Sequence, residues 1–158
     1  MADFLWPRGL YNYWKSNFLK GLDTDAINVI IEHVAKAPSP HSGVAIEQFG
    51  GAVTRVGMND TAFNHRNARY NLLIVGIWTD PAAKADNVKW VRDLWDAMAP
   101  YSSGGVYVNY LGQEADEGAE RVKSAYGPEK YARLVALKQK YDPINLFRLN
   151  QNIRPSEG

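Results

Sequence analysis

Hydrophobic and polar positions divide the chain into segments of two periods. Tyr11-Asn12-Tyr13-Trp14-Lys15-Ser16-Asn17-Phe18-Leu19 alternates roughly, is rich in aromatics and closes at Gly21, which predicts a strand. Ala26, Ile27, Ile30, Ile31 and Val34 then recur at helical spacing behind a cap at Asp23 or Thr24, so a helix is expected from about residue 24 to 36, ended by Pro38 and Pro40. Residues 43–49 and 52–56 read as extended segments around Gly50-Gly51, a hairpin or a glycine bulge. The 70–79 run, Tyr70-Asn71-Leu72-Leu73-Ile74-Val75-Gly76-Ile77-Trp78-Thr79, is continuously apolar and predicts a central strand covered on both faces or at an oligomer contact. Asp80-Pro81 opens a helix whose face is marked by Val88, Val91, Trp95 and Met98. Gly104-Gly105 precedes the β-branched and aromatic run Val106-Tyr107-Val108-Asn109-Tyr110, which reads as a further strand over 104–111, beginning where the backbone turns or passes close to a neighbour. Helices are expected over 114–126 and around Tyr131 to Leu137, and Asp142-Pro143 repeats the cap-and-proline pattern before a polar tail. The order is β-α-β-β-β-α-β-α-α, an antiparallel α+β arrangement with helices on one face of the sheet.

Composition narrows the function classes. A chain of 158 residues is the size of one domain, 1–158, and buries about 68–70% of its unfolded surface. The 18 basic and 17 acidic side chains nearly cancel and form no basic stripe, so nucleic acid is not an expected partner. With no cysteine there is no disulfide, thiolate metal site or cysteine nucleophile, in keeping with a cytoplasmic location. The first residues have no basic leader followed by an apolar core, and no run approaches membrane-span length, so neither a secretory signal nor a membrane partner is expected.

Several stretches together resemble the C-terminal substrate domain of berberine-bridge-enzyme-like oxidases. They are Tyr107-Val108-Asn109-Tyr110, Tyr126-Gly127, Arg133-Leu134-Val135 with Lys138, and above all Tyr141-Asp142-Pro143-Ile144-Asn145-Leu146-Phe147-Arg148 with Asn150-Gln151-Asn152-Ile153. Trp14-Lys15-Ser16-Asn17-Phe18-Leu19 and the region from Gly50-Gly51 to His65-Arg66 extend the resemblance over nearly the whole chain. It implies a flavin-linked oxidoreductase whose FAD sits in a large N-terminal domain. No glycine-rich phosphate turn between a strand and a helix is present here, so FAD is implied by the family and not expected to be held by this chain alone. A separate FAD-binding domain is the implied partner, and a small molecule the implied substrate.

The resemblance places a proton-accepting tyrosine at Tyr110, and Asn150 and Gln151 near the flavin edge. A phenol titrates near 10, so a tyrosine base at neutral pH needs about 4 kcal/mol of differential stabilisation of its phenolate. Strand alternation puts Val106, Val108 and Tyr110 on one face, and Tyr107 and Asn109 on the other, which makes Tyr107 an alternative phenol and Asn109 a substrate contact. Glu47, also in a predicted strand, is a candidate to face the same cavity. His65-Arg66 in a loop suits an anionic or carbonyl-bearing ligand. His41, Glu47, Asp60 and His65 lack any recognised ligand spacing, and no metal site is expected. A sheet face shaped to meet a flavin domain exposes apolar groups when uncovered, so a homodimer closing that face is the expected assembly. The alternative function is a stand-alone dimeric binding or interaction module without oxidase activity.

Overall fold

The computed structural model describes residues 8–112 and 118–156. The chain divides into two compact units, Met1–Phe49 with Ala68–Gly104, and Gly50–Asn67 with Gly105–Gly158. The architecture is α+β, as the sequence pattern predicts.

The first unit is built on three antiparallel strands in the order β1-β3-β2. They are β1 (Tyr11–Leu19), β2 (Gly43–Gln48) and β3 (Tyr70–Trp78). The continuous apolar run is the central strand, paired with β1 from Tyr11↔Trp78 to Leu19↔Tyr70 and with β2 from Gly43↔Val75 to Gln48↔Tyr70. Two helices, α1 (Thr24–Val34) and α3 (Lys84–Ala97), supply the core on one sheet face. There Leu72, Ile74 and Trp78 meet Ala26, Ile30, Trp90, Val91 and Leu94. Full burial of such side chains contributes about 1.5–3 kcal/mol each. Asp23 caps α1 by accepting from the Ala26 amide at 2.9 Å. Asp80 caps the 3-10 turn Pro81–Ala83 that leads into α3. Trp78 and Trp90 are core residues, and the indole of Trp90 donates to the His33 carbonyl at 2.8 Å. Of the α1 stripe only Ala26 and Ile30 are buried, while Ile27 and Ile31 remain exposed.

By alternation the other sheet face carries Ser16, Phe18, Leu73, Val75 and Ile77, each of them buried.

The second unit contains a single turn, α2 (Ala52–Arg55), a loop, and the helices α4 (Ala119–Tyr126) and α5 (Pro128–Tyr141). Residues 52–56 are thus not a strand. Gly51 turns at φ 58°, and the Thr54 hydroxyl donates to the Gly51 carbonyl, closing a local turn in place of a ladder. Residues 104–111 are not a strand either. Gly104 and Gly105 sit at φ 80° and 74°, and a 3-10 turn follows at Val108–Tyr110. The amides of Tyr110 and Leu111 bond to the carbonyls of Tyr107 and Val108, so local bonds engage the groups a ladder would use. Extended pairing stops at Ser102, bridged to Leu19 on β1. Val106 and Leu111 are buried instead with Val122 and Ala125 in a small second core. Of the helix expected over 114–126, residues 114–117 lie outside the described residues. Among the described residues no helix is long and apolar enough to cross a membrane.

Candidate functional site

The second unit brings most of the candidate residues together, and the 3-10 turn is the reason. Side chains three apart eclipse in 3-10 geometry, whereas strand alternation would send Tyr107 and Tyr110 to opposite faces. Here their rings meet edge to face, with centroids 5.2 Å apart and planes at 88°. Asn109 Nδ2 donates to the Tyr107 hydroxyl at 2.8 Å. The two phenols are therefore not alternatives on opposite faces but neighbours, with the carboxamide bonded to one of them.

Phe63 packs edge-on against Tyr107 at 6.0 Å between centroids and against His65 at 6.1 Å. The loop carrying Phe63, Asn64 and His65 is seated on two glycines. A Cβ on Gly105 would stand 2.0 Å from His65 Cε1, and one on Gly127 would stand 2.7 Å from Asn64 Nδ2. Both glycines have φ 74°. Lys130, only 5% exposed, donates from Nζ to the Phe63 carbonyl at 2.7 Å and ties the loop to α5.

Burial, helped by the charge of Lys130, lowers the pKa of His65 below its ordinary 6.5, while backbone hydrogen bonds involving Ala125 and Val106 oppose the shift. His65 is thus neutral at pH 7. Lys130 is itself lowered, first by desolvation and then by Arg66 and Arg133. Arg66 donates to the Val53 carbonyl at 2.9 Å and to the Thr61 hydroxyl, and its guanidinium stacks 4.9 Å from the centre of the Phe63 ring. Those bonds make it a brace of the loop.

Gln151 donates from Nε2 to the carbonyls of Leu111 (2.8 Å) and Gly112 (3.3 Å), closing the tail onto the segment that follows the tyrosines. Asn150 is exposed, in the left-handed region at φ 59°, and its carbonyl accepts from the Asn152 amide. Glu47 belongs to the first unit, on β2, where it accepts from the fully buried Asn71 at 2.9 Å. Asp142 does not start a helix. It follows α5, pairs with Lys138, and its carboxylate accepts the amides of Leu146 (2.7 Å) and Phe147 (3.0 Å).

Asn64 and Lys130 are structural members of the cluster that pattern reading did not single out, and Phe63 and Gly127 gain a packing role there. A buried lysine bonded to a distant carbonyl leaves no periodic trace. The diglycine did announce a close approach, and His65 is what approaches. For the FAD implied by the resemblance, the donor set suits the flat ring end and a substrate: two phenols, a carboxamide and a neutral imidazole. It does not suit the dinucleotide diphosphate, because Arg66 and Lys130 bond to carbonyls and Asn64 packs against Gly127 at the start of α5.

Residues 106–154 match the family model described as berberine and berberine like. An FAD-linked oxidoreductase of Dictyostelium discoideum is 30% identical over 96% of the chain, which covers 32% of that protein. An uncharacterized FAD-linked oxidoreductase of Bacillus subtilis is 33% identical over 86% of the chain and is covered over 29% of its length. Among solved structures, berberine bridge enzyme from Eschscholzia californica superposes with a TM-score of 0.80 at 24% identity, over 94% of this chain and 34% of that one. The chain spans about a third of the length of the relatives it matches. The aromatic and carboxamide residues of Tyr107–Tyr110 lie inside the matched region, and over nearly its whole length the chain is similar to about a third of berberine-bridge-enzyme-like, FAD-linked oxidoreductases.

Proposed function

We propose that the chain forms the substrate-side portion of a flavin-dependent oxidoreductase, lying over a flavin and a small-molecule substrate held with an FAD-binding portion. The juxtaposition of Tyr107, Asn109 and Tyr110 on one 3-10 turn is the observation that supports this reading most. A flavin, where bound, would supply the hydride acceptor, and Tyr110 is the proposed base that would take the accompanying proton from the substrate. Asn109 fixes the neighbouring Tyr107 hydroxyl at 2.8 Å, so Tyr107 positions the substrate and orients Tyr110 by its ring edge. His65, neutral and packed on Gly105, and Arg66 beside it are proposed as substrate contacts. Asn150 and Gln151 are proposed to lie at the cofactor edge, Gln151 through the carboxamide oxygen its two donor bonds leave available.

The test uses a chimera in which this chain replaces the matched third of the Bacillus subtilis relative. The purified chimera is expected to carry a flavin band near about 450 nm, bleached anaerobically by an alcohol from a panel of sugars and aromatic alcohols. Tyr110→Phe should slow bleaching by about 10²–10⁴-fold, the usual worth of a general base. Tyr107→Phe should raise the alcohol concentration required more than it slows the step. A chimera without a flavin band, or one bleached equally fast after Tyr110→Phe, would sink the corresponding part of the proposal.

A further inference from the structure

Lys130 is a buried cation that the reaction proposed above does not use. It lies on α5, only 5% exposed, and its Nζ donates to the carbonyl of Phe63, 67 residues away in sequence, at 2.7 Å. Desolvation lowers its pKa first, and the neighbouring charges that lower it further, Arg66 and Arg133, are cations. An ammonium held in such surroundings carries a desolvation cost that a methionine of similar length would not. What methionine lacks is an N–H donor, so the carbonyl that Lys130 engages accounts for a lysine at this position.

That carbonyl belongs to a loop fixed at four consecutive residues. Lys130 holds the carbonyl of Phe63, Asn64 lies against Gly127, His65 lies against Gly105, and Arg66 donates to the Val53 carbonyl and the Thr61 hydroxyl. Phe63 carries the constraint to the tyrosines. Its ring meets Tyr107 edge to face, with centroids 6.0 Å apart and planes at 87°, and Tyr107 meets Tyr110 in the same way at 5.2 Å and 88°. Ring quadrupoles favour perpendicular pairs at these separations, so the orientation of one ring constrains the next. A chain of contacts therefore runs from the Lys130 ammonium through the backbone and ring of Phe63 to both phenols.

We propose that Lys130 is a positioning residue for the two phenols: its bond to the Phe63 carbonyl sets the Phe63 ring, which sets Tyr107 and, through it, Tyr110. Misplacement of about 1 Å by a change at a remote support can cost about 10²-fold in rate, which gives such a support its value. The inference rests on the tyrosine reading above and adds the group that holds the reacting phenol in place.

Two measurements test it. In this chain alone, ring resonances of isotope-labelled tyrosine, assigned with Tyr107→Phe and Tyr110→Phe, should move in Lys130→Met and return in Lys130→Arg, which supplies an N–H to the same carbonyl. Unmoved resonances in Lys130→Met overturn the proposal. Where that variant does not fold, Lys130→Gln serves: its shorter side chain keeps a donor but draws the carbonyl toward α5, so unmoved resonances overturn the proposal there too. Gly76→Ala, a strain in the first unit, should leave the tyrosines in place, and equal movement there would reduce the effect to general loosening and overturn the assignment to Lys130. In a flavin-bearing chimera, Lys130→Met should slow bleaching by about 10–10²-fold. The alcohol concentration required should change by less than about threefold, and a loss confined to that concentration would place Lys130 with the substrate and overturn the proposal. Phe63→Leu should slow the step about as much, and the double variant no more than either alone; additive losses would show Lys130 acting through its own charge and overturn the proposal. Moved resonances with a chimera that lacks flavin support the proposal and overturn the flavin reading. Unmoved resonances with a flavin-bearing chimera overturn the proposal and leave the flavin reading intact.

Discussion

A methyl group added to Gly105 would have no room beside His65, whereas one added to Gly104 would meet nothing within 4 Å. Both residues lie at positive φ, so either alanine carries the left-handed penalty of roughly 1–2 kcal/mol. Gly105→Ala adds a clash with the imidazole and should cost about 3 kcal/mol in denaturant unfolding, against about 1–2 for Gly104→Ala. It should also release the His65 ring, seen by NMR as a pKa returning toward its ordinary 6.5. The same residue gives the unit a pH response. The pKa of His65 is lowered in the fold, so between that value and 6.5 the unfolded chain binds more protons than the folded one. Stability should therefore fall as pH drops from 7 through this interval and level off below the folded pKa. His65→Gln should flatten that part of the profile, and an unchanged slope would assign the response to another group.

At the scale of elements, the strands that pair in the structure are those whose whole pattern was consistent, and the misread ones are short and glycine-flanked. The apolar run Tyr70–Trp78 became the central strand because both of its faces are buried, a condition that continuous hydrophobicity reports directly. Residues 52–56 are β-branched and residues 104–111 both β-branched and aromatic, yet positive-φ glycines turn the chain before a ladder can form. The consequence for the site was large: the tyrosines and Asn109 were legible as a group, but their mutual placement depends on the 3-10 turn, and the support from Lys130 and Gly127 depends on tertiary contact. Gly76 makes a complementary case inside a correctly read strand. A Cβ there would lie 3.0 Å from Val91 Cγ2 and 3.3 Å from the Asn87 carbonyl, so α3 packs on β3 at a distance only glycine permits. Gly76→Ala should cost about 1–3 kcal/mol through overpacking. Val91→Ala should remove part of that penalty, and a double-mutant cycle with no coupling would refute this account of the helix–sheet contact.

For the whole molecule, the decisive imbalance is between a site that suits a ring and a donor set that does not suit a dinucleotide. FAD binding requires stabilisation of a diphosphate, for which open helix N-termini and free cations are the usual means. Among the described residues near the tyrosines, Arg66 is engaged with Val53 and Thr61, Lys130 with Phe63, and the start of α5 is packed by Asn64. Of the exposed cations, Arg133 and Lys140 lie on α5, and Arg148 and Arg154 on the tail that follows it. This chain alone should therefore leave FAD fluorescence unchanged when titrated to about 100 μM, while the chimera with the rest of the Bacillus relative retains the cofactor through purification. Quenching by the chain alone would show that the tyrosine cluster holds the flavin ring without diphosphate contacts. Lys130→Met then separates the remaining cases: loss of quenching would assign Lys130 to the diphosphate, contrary to the bond it makes to Phe63, and retention would leave ring stacking as the source of affinity.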